Sequence, residues 1–431
     1  MSSPAAAPAT WHRSRQTLNG RAPSRAASAC GLGATAGRFA AAGFAVAVLL
    51  RCVPAPTQTG LVLAYARSAL AALAGPAAYV AGVGVLGQPV LRLLGARPGH
   101  GAPALVAVAP VRRRTLFANA LLAVASLVLT LGSLEAGFRH FAVYSDGLGQ
   151  TRAAQRWFQR YWGPLNHAGY RDREIDPAAL AATRRLYVVG DSFAAGHGIE
   201  DREARFADRV RRGLGPAWSV VLLARNGWNT TDELLALRSM ALPPDVIVLS
   251  WYVNDIEAVS PQAAPPRLDL DGEPAGVRAV VQHSDLANFV YWRVRRTRLS
   301  GLQSAYWQSV LNAFDDPATW ERYATQLRDV AALARAQGAL LLVIAFPDLT
   351  DVVGTHTIVA RVATVFRDEG AEVVDLAERF TGRPPQDLVV SALDAHPNAA
   401  VHAEVGELVL RRLAARGLTT STAALAGTEA R

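Results

Sequence analysis

Leu186-Tyr187-Val188-Val189-Gly190-Asp191-Ser192-Phe193-Ala194-Ala195-Gly196 decides how the chain is read. Leu186 to Val189 form an apolar run with β-branched character, the signature of a buried strand. Gly190-Asp191-Ser192 follows, three residues that favour turns, and then a segment with helical period. A strand that stops at a small-residue turn sets a serine hydroxyl at the carboxyl edge of a sheet, where open α/β folds hold their ligands. Taken alone, Gly-Asp-Ser is equally an ordinary turn, and what distinguishes it lies in the rest of the chain.

C-terminal to this stretch, short apolar runs alternate with helical patterns. Glu203 to Leu214 reads as an amphipathic helix, Trp218 to Ala224 as a second strand and Asp245 to Ser250 as a third. Between the last two, Thr230-Thr231-Asp232-Glu233 pairs Thr230 with Glu233 as a capping box. Trp320 to Gln337 and Thr357 to Arg367 read as helices, Ala339 to Ala345 and Ala371 to Leu376 as the fourth and fifth strands, and Ala399 to Arg416 as the closing helix. The pattern predicts an α/β fold, a parallel sheet of about five strands with helices on both faces. It is interrupted at 256–317 by an insertion rich in Pro, Gly and aromatic residues. There Phe289, Tyr291, Trp292, Tyr306 and Trp307 are either the lining of a substrate cleft or a core patch.

The net charge of +9 suggests a nucleic-acid partner at first sight. Its distribution says otherwise. The segment before Glu135 holds 12 arginines and no acidic residue, whereas the remainder sets 32 arginines against 35 acidic residues. The globular part is therefore slightly acidic, and binding of a phosphate backbone loses its motivation. All basic side chains are arginine and alanine is abundant, which is a compositional bias. Cys30 and Cys52 both precede the globular part, so no disulfide framework supports it.

Thr115 to Leu134 is uncharged and rich in Leu, Ala and Val, long enough to cross a bilayer as a helix. Arg112-Arg113-Arg114 precede it, and the positive-inside rule then puts the following chain outside the cytoplasm. The resulting organisation is a basic, Ala/Gly-rich region at 1–114 with candidate further spans at 39–53 and 68–91, and a transmembrane helix at 115–138. A catalytic domain follows at 141–418, then a loose tail at 419–431. One or three spans give the same orientation, and two would reverse it. Gly82-Val83-Gly84-Val85-Leu86-Gly87 matches a dinucleotide fingerprint in letters only, since no strand leads into it and no acidic residue is near to meet a ribose.

A serine nucleophile needs a base, an orienting group and oxyanion donors. Candidates for each fall at the ends of predicted strands. Gly227 lies in Arg225-Asn226-Gly227-Trp228-Asn229-Thr230 and Asn254 in Trp251-Tyr252-Val253-Asn254-Asp255. Asp394 and His396 lie in Asp394-Ala395-His396-Pro397-Asn398, and His396 is the only one of the nine histidines with an aspartate at that offset and a Pro-Asn turn after it. Singly these are loops or caps. In this order, at one sheet edge, they form a set.

That ordered set resembles the SGNH, or GDSL, hydrolase superfamily from about Leu165 to Leu413, with a flavodoxin-like three-layer fold. Leu165-Asn166-His167-Ala168-Gly169-Tyr170-Arg171-Asp172 and the preceding span are similar to membrane-anchored bacterial members. The resemblance implies Ser192 as nucleophile, His396 as general base and Asp394 as its orienter. It implies oxyanion donors at Ser192, Gly227 and Asn254. The chain departs from the pattern in carrying Tyr252 where the family often has glycine, and Asp-x-His in place of Asp-x-x-His. The implied activity is a membrane-anchored serine esterase acting outside the cytoplasm on an ester substrate, an acylated glycan or a lipid, with no cofactor, metal or nucleic acid. The same residues would serve an O-acyltransferase acting on a polysaccharide. A non-catalytic glycan-binding or assembly protein would keep the fold but has no reason to keep the full set.

Overall fold

A computed structural model of the protein describes residues 113–260, 263, 269–298 and 300–419. The candidate spans at 39–53 and 68–91, and the tail beyond 419, lie outside the described residues.

Five parallel strands form the central sheet in the order β2-β1-β3-β4-β5: β1 Arg184–Gly190, β2 Trp218–Ala224, β3 Val246–Tyr252, β4 Leu340–Phe346 and β5 Glu372–Asp375. Their side chains are apolar almost without alternation, and β3 is buried along its whole length, as a sheet covered on both faces requires. Right-handed crossovers fix which face each helix takes. The step from β1 to β2 runs opposite to those from β2 to β3, β3 to β4 and β4 to β5. The helix Phe206–Leu214 therefore lies on one face, where it packs against the closing helix Ala399–Ala415. The helices Thr230–Ser239, Pro317–Ala336 and Val352–Asp368 take the other and pack among themselves. The reversal of direction at β1 opens the crevice beyond its carboxyl end.

Most elements agree with the sequence reading, and the differences have local causes. β3 runs two residues past Ser250: β1 stops at Gly190 opposite Ser250, but β4 continues alongside Trp251 and Tyr252 to Phe346. The helix after β2 is capped by Asn229, not Thr230. Asn229 accepts from Thr231 N–H and its own N–H donates to Asp232. An amide at the cap displaces the box by one residue and leaves Glu233 on the buried face. Asp394 to Pro397 is a strand, β7, paired antiparallel with β6, Val389–Ser391, where the sequence suggested only a loop.

Among the described residues, the 256–317 region holds the helices Ala275–His283, Asp285–Arg298 and Ser300–Asp315 after a short 3-10 turn at Val253–Val259. N-terminal to the sheet, Arg113–Phe141 is one helix. Within it Phe117–Phe141, with a mean hydropathy of 1.9, is long and apolar enough to cross a membrane, and its side chains are largely exposed. Its last turns dock on the insertion. Glu135 accepts from Ser284 Oγ at 2.7 Å, Asp285 N–H at 3.0 Å and Leu286 N–H at 2.9 Å, capping the next helix. The buried Asp285 carboxylate in turn takes ion pairs from Arg139, Arg152 and Arg156, and Phe138 packs on Phe289 with ring centroids 4.6 Å apart.

Gly190 is demanded by packing, since β1 and β3 approach so closely that a Cβ there would lie 2.9 Å from the Ser250 backbone oxygen and from the Cβ atoms of Ala194 and Ser250. A backbone oxygen in the middle of a sheet cannot withdraw. Gly190→Ala is expected to lower stability by about 1–3 kcal/mol, the usual cost of overpacking, read as a fall in the denaturation midpoint. An unchanged midpoint would refute the close-approach explanation.

Candidate active site

Ser192 opens a single helical turn, Ser192–Ala195, directly after β1. Asp191 caps that turn by accepting from Phe193 N–H at 2.8 Å, and Gly196 ends it in the left-handed region at φ 74°. Two buried arginines lock the turn from below. Arg171 donates to Gly196 O at 2.7 Å, Ile199 O at 2.7 Å and Tyr161 O at 2.8 Å, and Arg205 donates to Ala195 O at 3.2 Å and Arg171 O at 2.6 Å.

His396 Nε2 lies 2.9 Å from Ser192 Oγ, and His396 Nδ1 lies 2.6 Å from Asp394 Oδ1. The strand conformation of β7 makes this line possible. Residues two apart in a strand point to the same side, so Asp-x-His aligns carboxylate and imidazole without the extra residue that a loop would use. Asp394 is buried. Burial raises its pKa, but the facing His396 and a hydrogen bond from Ser145 outweigh that and hold the carboxyl below the usual carboxylate range. Asp394 is therefore ionised and fixes the Nδ1–H tautomer of His396, which leaves Nε2 as acceptor. The Ser192 hydroxyl also lies 3.3 Å from Asp191 Oδ2; the contact to His396 is the shorter one.

The other two residues expected at the site flank this line. Sheet order puts the β2 turn on one side of Ser192 and the β3 turn on the other, with Ala224 and Ser250 both in register with Gly190. Gly227 takes φ 76°, and no atom lies within 4 Å of where its Cβ would be. Asn254 forms a side-chain hydrogen bond with Tyr306, and its own Oδ1 is buried without a partner.

Tyr306 comes from the insertion and also donates to Glu257, whose carboxyl burial pushes up to about 7. The insertion's aromatic residues thus divide. Phe289 and Trp292 are buried, and Phe289 packs toward the N-terminal helix, whereas Tyr306 and Trp307 reach the site. There Trp307 meets Tyr252 edge-on at 6.2 Å, and Tyr252 stacks on Phe193 at 4.0 Å. The Tyr252 ring fills space that a glycine would leave open beside the Ser192 turn.

Sequence reasoning passed over His197. It follows Gly196 directly, and its ring lies parallel to His396, 9° apart with centroids at 4.2 Å. His197, Asp394 and His396 bring ligand-type atoms within 4.8 Å of one another. Imidazole lone pairs lie in the ring planes, so two parallel rings aim them side by side and not at a shared centre. Both nitrogens of His396 are also engaged. The arrangement is a ring stack, poorly suited to a metal ion.

Near Ser192, Asp191, Glu233 and Asp255 are all buried. Both Glu233 carboxylate oxygens lack partners; burial first, then the charges of Asp191 and Asp232, push its pKa well up. The folded chain thus keeps a proton on Glu233 that the unfolded chain releases above a pKa of about 4.3. Where the native state binds more protons, stability falls as pH rises. Glu233→Gln has no proton to lose, so its melting temperature should match the parent near pH 4 and exceed it increasingly toward pH 8. A difference that does not change with pH would refute the protonated state.

A model of the GDSL-like lipase/acylhydrolase family matches residues 188–404. No match was found among curated proteins. Among solved structures the chain is similar to TesA, at 20% identity and a TM-score of 0.33 over 53% of this chain and 98% of that one. It is similar to a lipase/acylhydrolase from Enterococcus faecalis at 17% identity and a TM-score of 0.33, over 54% of this chain and 97% of that one. An acetyl xylan esterase, AlAXEase, is similar at 13% identity and a TM-score of 0.34, over 53% of this chain and 99% of that one.

Proposed function

Because the chain belongs to the GDSL-like lipase/acylhydrolase family and is an ester-hydrolysing enzyme, we propose that it works through an acyl-enzyme on Ser192, outside the cytoplasm. The observation that carries this reading is the hydrogen-bonded line Ser192–His396–Asp394. Ser192 Oγ attacks the ester carbonyl carbon while its proton passes to His396 Nε2. The imidazolium is held by the ionised Asp394, which needs no proton of its own. The oxyanion of the tetrahedral intermediate is met by the backbone N–H groups of Ser192 and Gly227 and by the Asn254 side-chain amide. Collapse breaks the bond to the alcohol, which leaves with the proton from His396. Water then repeats the sequence with His396 as base, and the carboxylic acid departs.

The helix Phe117–Phe141 is read as the membrane anchor, with Arg112, Arg113 and Arg114 on the cytoplasmic side. The domain boundaries expected from the sequence, with a catalytic domain at 141–418 and an insertion at 256–317, belong to the same reading. The site then faces esters at the outer membrane surface, of which acylated glycans and lipids are the proposed class.

Turnover of p-nitrophenyl acetate tests the roles. Ser192→Ala is expected to abolish it, and Asn254→Ala to slow it by roughly 100-fold or more, since one oxyanion donor is worth about 2.7–4 kcal/mol. Undiminished turnover by Ser192→Ala would sink the nucleophile assignment. For orientation, a reporter fused after Arg431 should be active only outside the cytoplasm; activity confined to the cytoplasm would reverse the topology.

A further inference from the structure

His197 has no part in the steps above, yet it occupies one of the most constrained positions around them. It is buried. One ring face lies parallel to His396, and Trp157 is also stacked with it, at 5.9 Å and 9°. Phe158 and Trp162 meet it edge-on at 5.1 and 5.9 Å. Its Nδ1 accepts from Asn226 Nδ2 at 3.0 Å, which puts its proton on Nε2, a buried atom without a partner. Burial and the neighbouring His396 push its pKa down to about 3, so the ring is neutral throughout the working range. Phe193 approaches His396 as well, at 5.5 Å and 64°.

The catalytic imidazole is therefore bounded by rings as well as by hydrogen bonds. A hydrogen-bonded imidazole can still swing about the line joining its partners; a parallel ring in contact with its face removes that freedom. The rings that hold His197 come from the segment between the N-terminal helix and the sheet. Trp157 closes the helix Arg152–Trp157, which is tied to Asp285 by Arg152 and Arg156. Phe158 and Trp162 lie in the turn that follows. All three precede the residues that the family model matches.

We propose that His197 is a positioning residue for ester cleavage, and that the 152–162 segment, by boxing His197 against His396, completes a site whose reacting groups lie elsewhere in the chain. The proposal rests on the Ser192–His396 mechanism. Misplacement of a reacting group by an ångström costs on the order of 100-fold. Loss of the stacked ring should therefore appear in kcat and leave KM nearly unchanged, because His197 is buried against other rings.

The test compares His197→Ala, His197→Phe and Ser192→Ala in the full chain in detergent, with p-nitrophenyl acetate kinetics, thermal unfolding and proton NMR of the His396–Asp394 hydrogen bond. His197→Ala is expected to lower kcat by roughly 10- to 100-fold and to broaden or abolish the downfield Nδ1–H resonance. His197→Phe, which keeps a flat ring in the box, should retain that resonance and most of kcat. Normal turnover by His197→Ala would overturn the proposal, and so would equal impairment of both variants. Failure of both to fold would assign His197 to the scaffold and overturn it too. If instead Ser192→Ala turns over substrate, the nucleophile reading has failed, whatever His197 does.

Discussion

Arg171 is buried, and its guanidinium donates to backbone oxygens of Tyr161, Gly196 and Ile199. Burial and the charge of Arg205 draw its pKa down to about 9, yet it stays charged near neutrality, and a buried charge is tolerated only where hydrogen bonds compensate it. A planar fork of five N–H groups can tie together segments that no single strand or helix connects. Here it joins the aromatic segment before the sheet to the turn that carries Ser192. Arg205 continues the clamp from the other side, anchored by the buried Asp208 and donating to the Arg171 carbonyl. The position of Ser192 thus depends on two charges that the fold had to bury.

Much of this was legible from residue order. A parallel sheet follows from apolar runs separated by helical patterns, and the order Ser192, Gly227, Asn254, Asp394, His396 follows the ends of successive elements. What could not be read has identifiable physical causes. The β6–β7 hairpin is short, and its Asp-Ala-His-Pro sequence carries turn-forming and polar residues, so nothing in its periodicity marks a strand. Glu233 looked like a capping carboxylate because its spacing from Thr230 was right; Asn229, one residue earlier, is the better cap and turns Glu233 inward. His197 was hidden because stacking leaves no spacing rule in a sequence. Its one trace is its place between Gly196 and Gly198. The first allows the turn, and the second leaves no room for a side chain, since a Cβ at Gly198 would lie 2.8 Å from Asp394 Oδ2.

The two regions outside the regular sheet-and-helix alternation converge on the same few atoms. The segment before β1 supplies Ser145 to Asp394 and the rings around His197, and the insertion supplies Tyr306 to Asn254. Both also meet at Asp285, beside the end of the N-terminal helix. The contacts run from that helix to the site without a break, through Arg156 and Asp285 to the Arg152–Trp157 helix, then through Trp157 to His197 and His396.

In the proposed mechanism Ser192 is the activated hydroxyl and His396 its activator. Reaction of the full chain with a fluorophosphonate, followed by intact-mass measurement and peptide mapping, addresses it most directly. The account predicts a single adduct, on Ser192, forming rapidly in the parent protein and far more slowly in His396→Ala. An adduct on any other serine, or labelling of Ser192 at the same rate without His396, would contradict it.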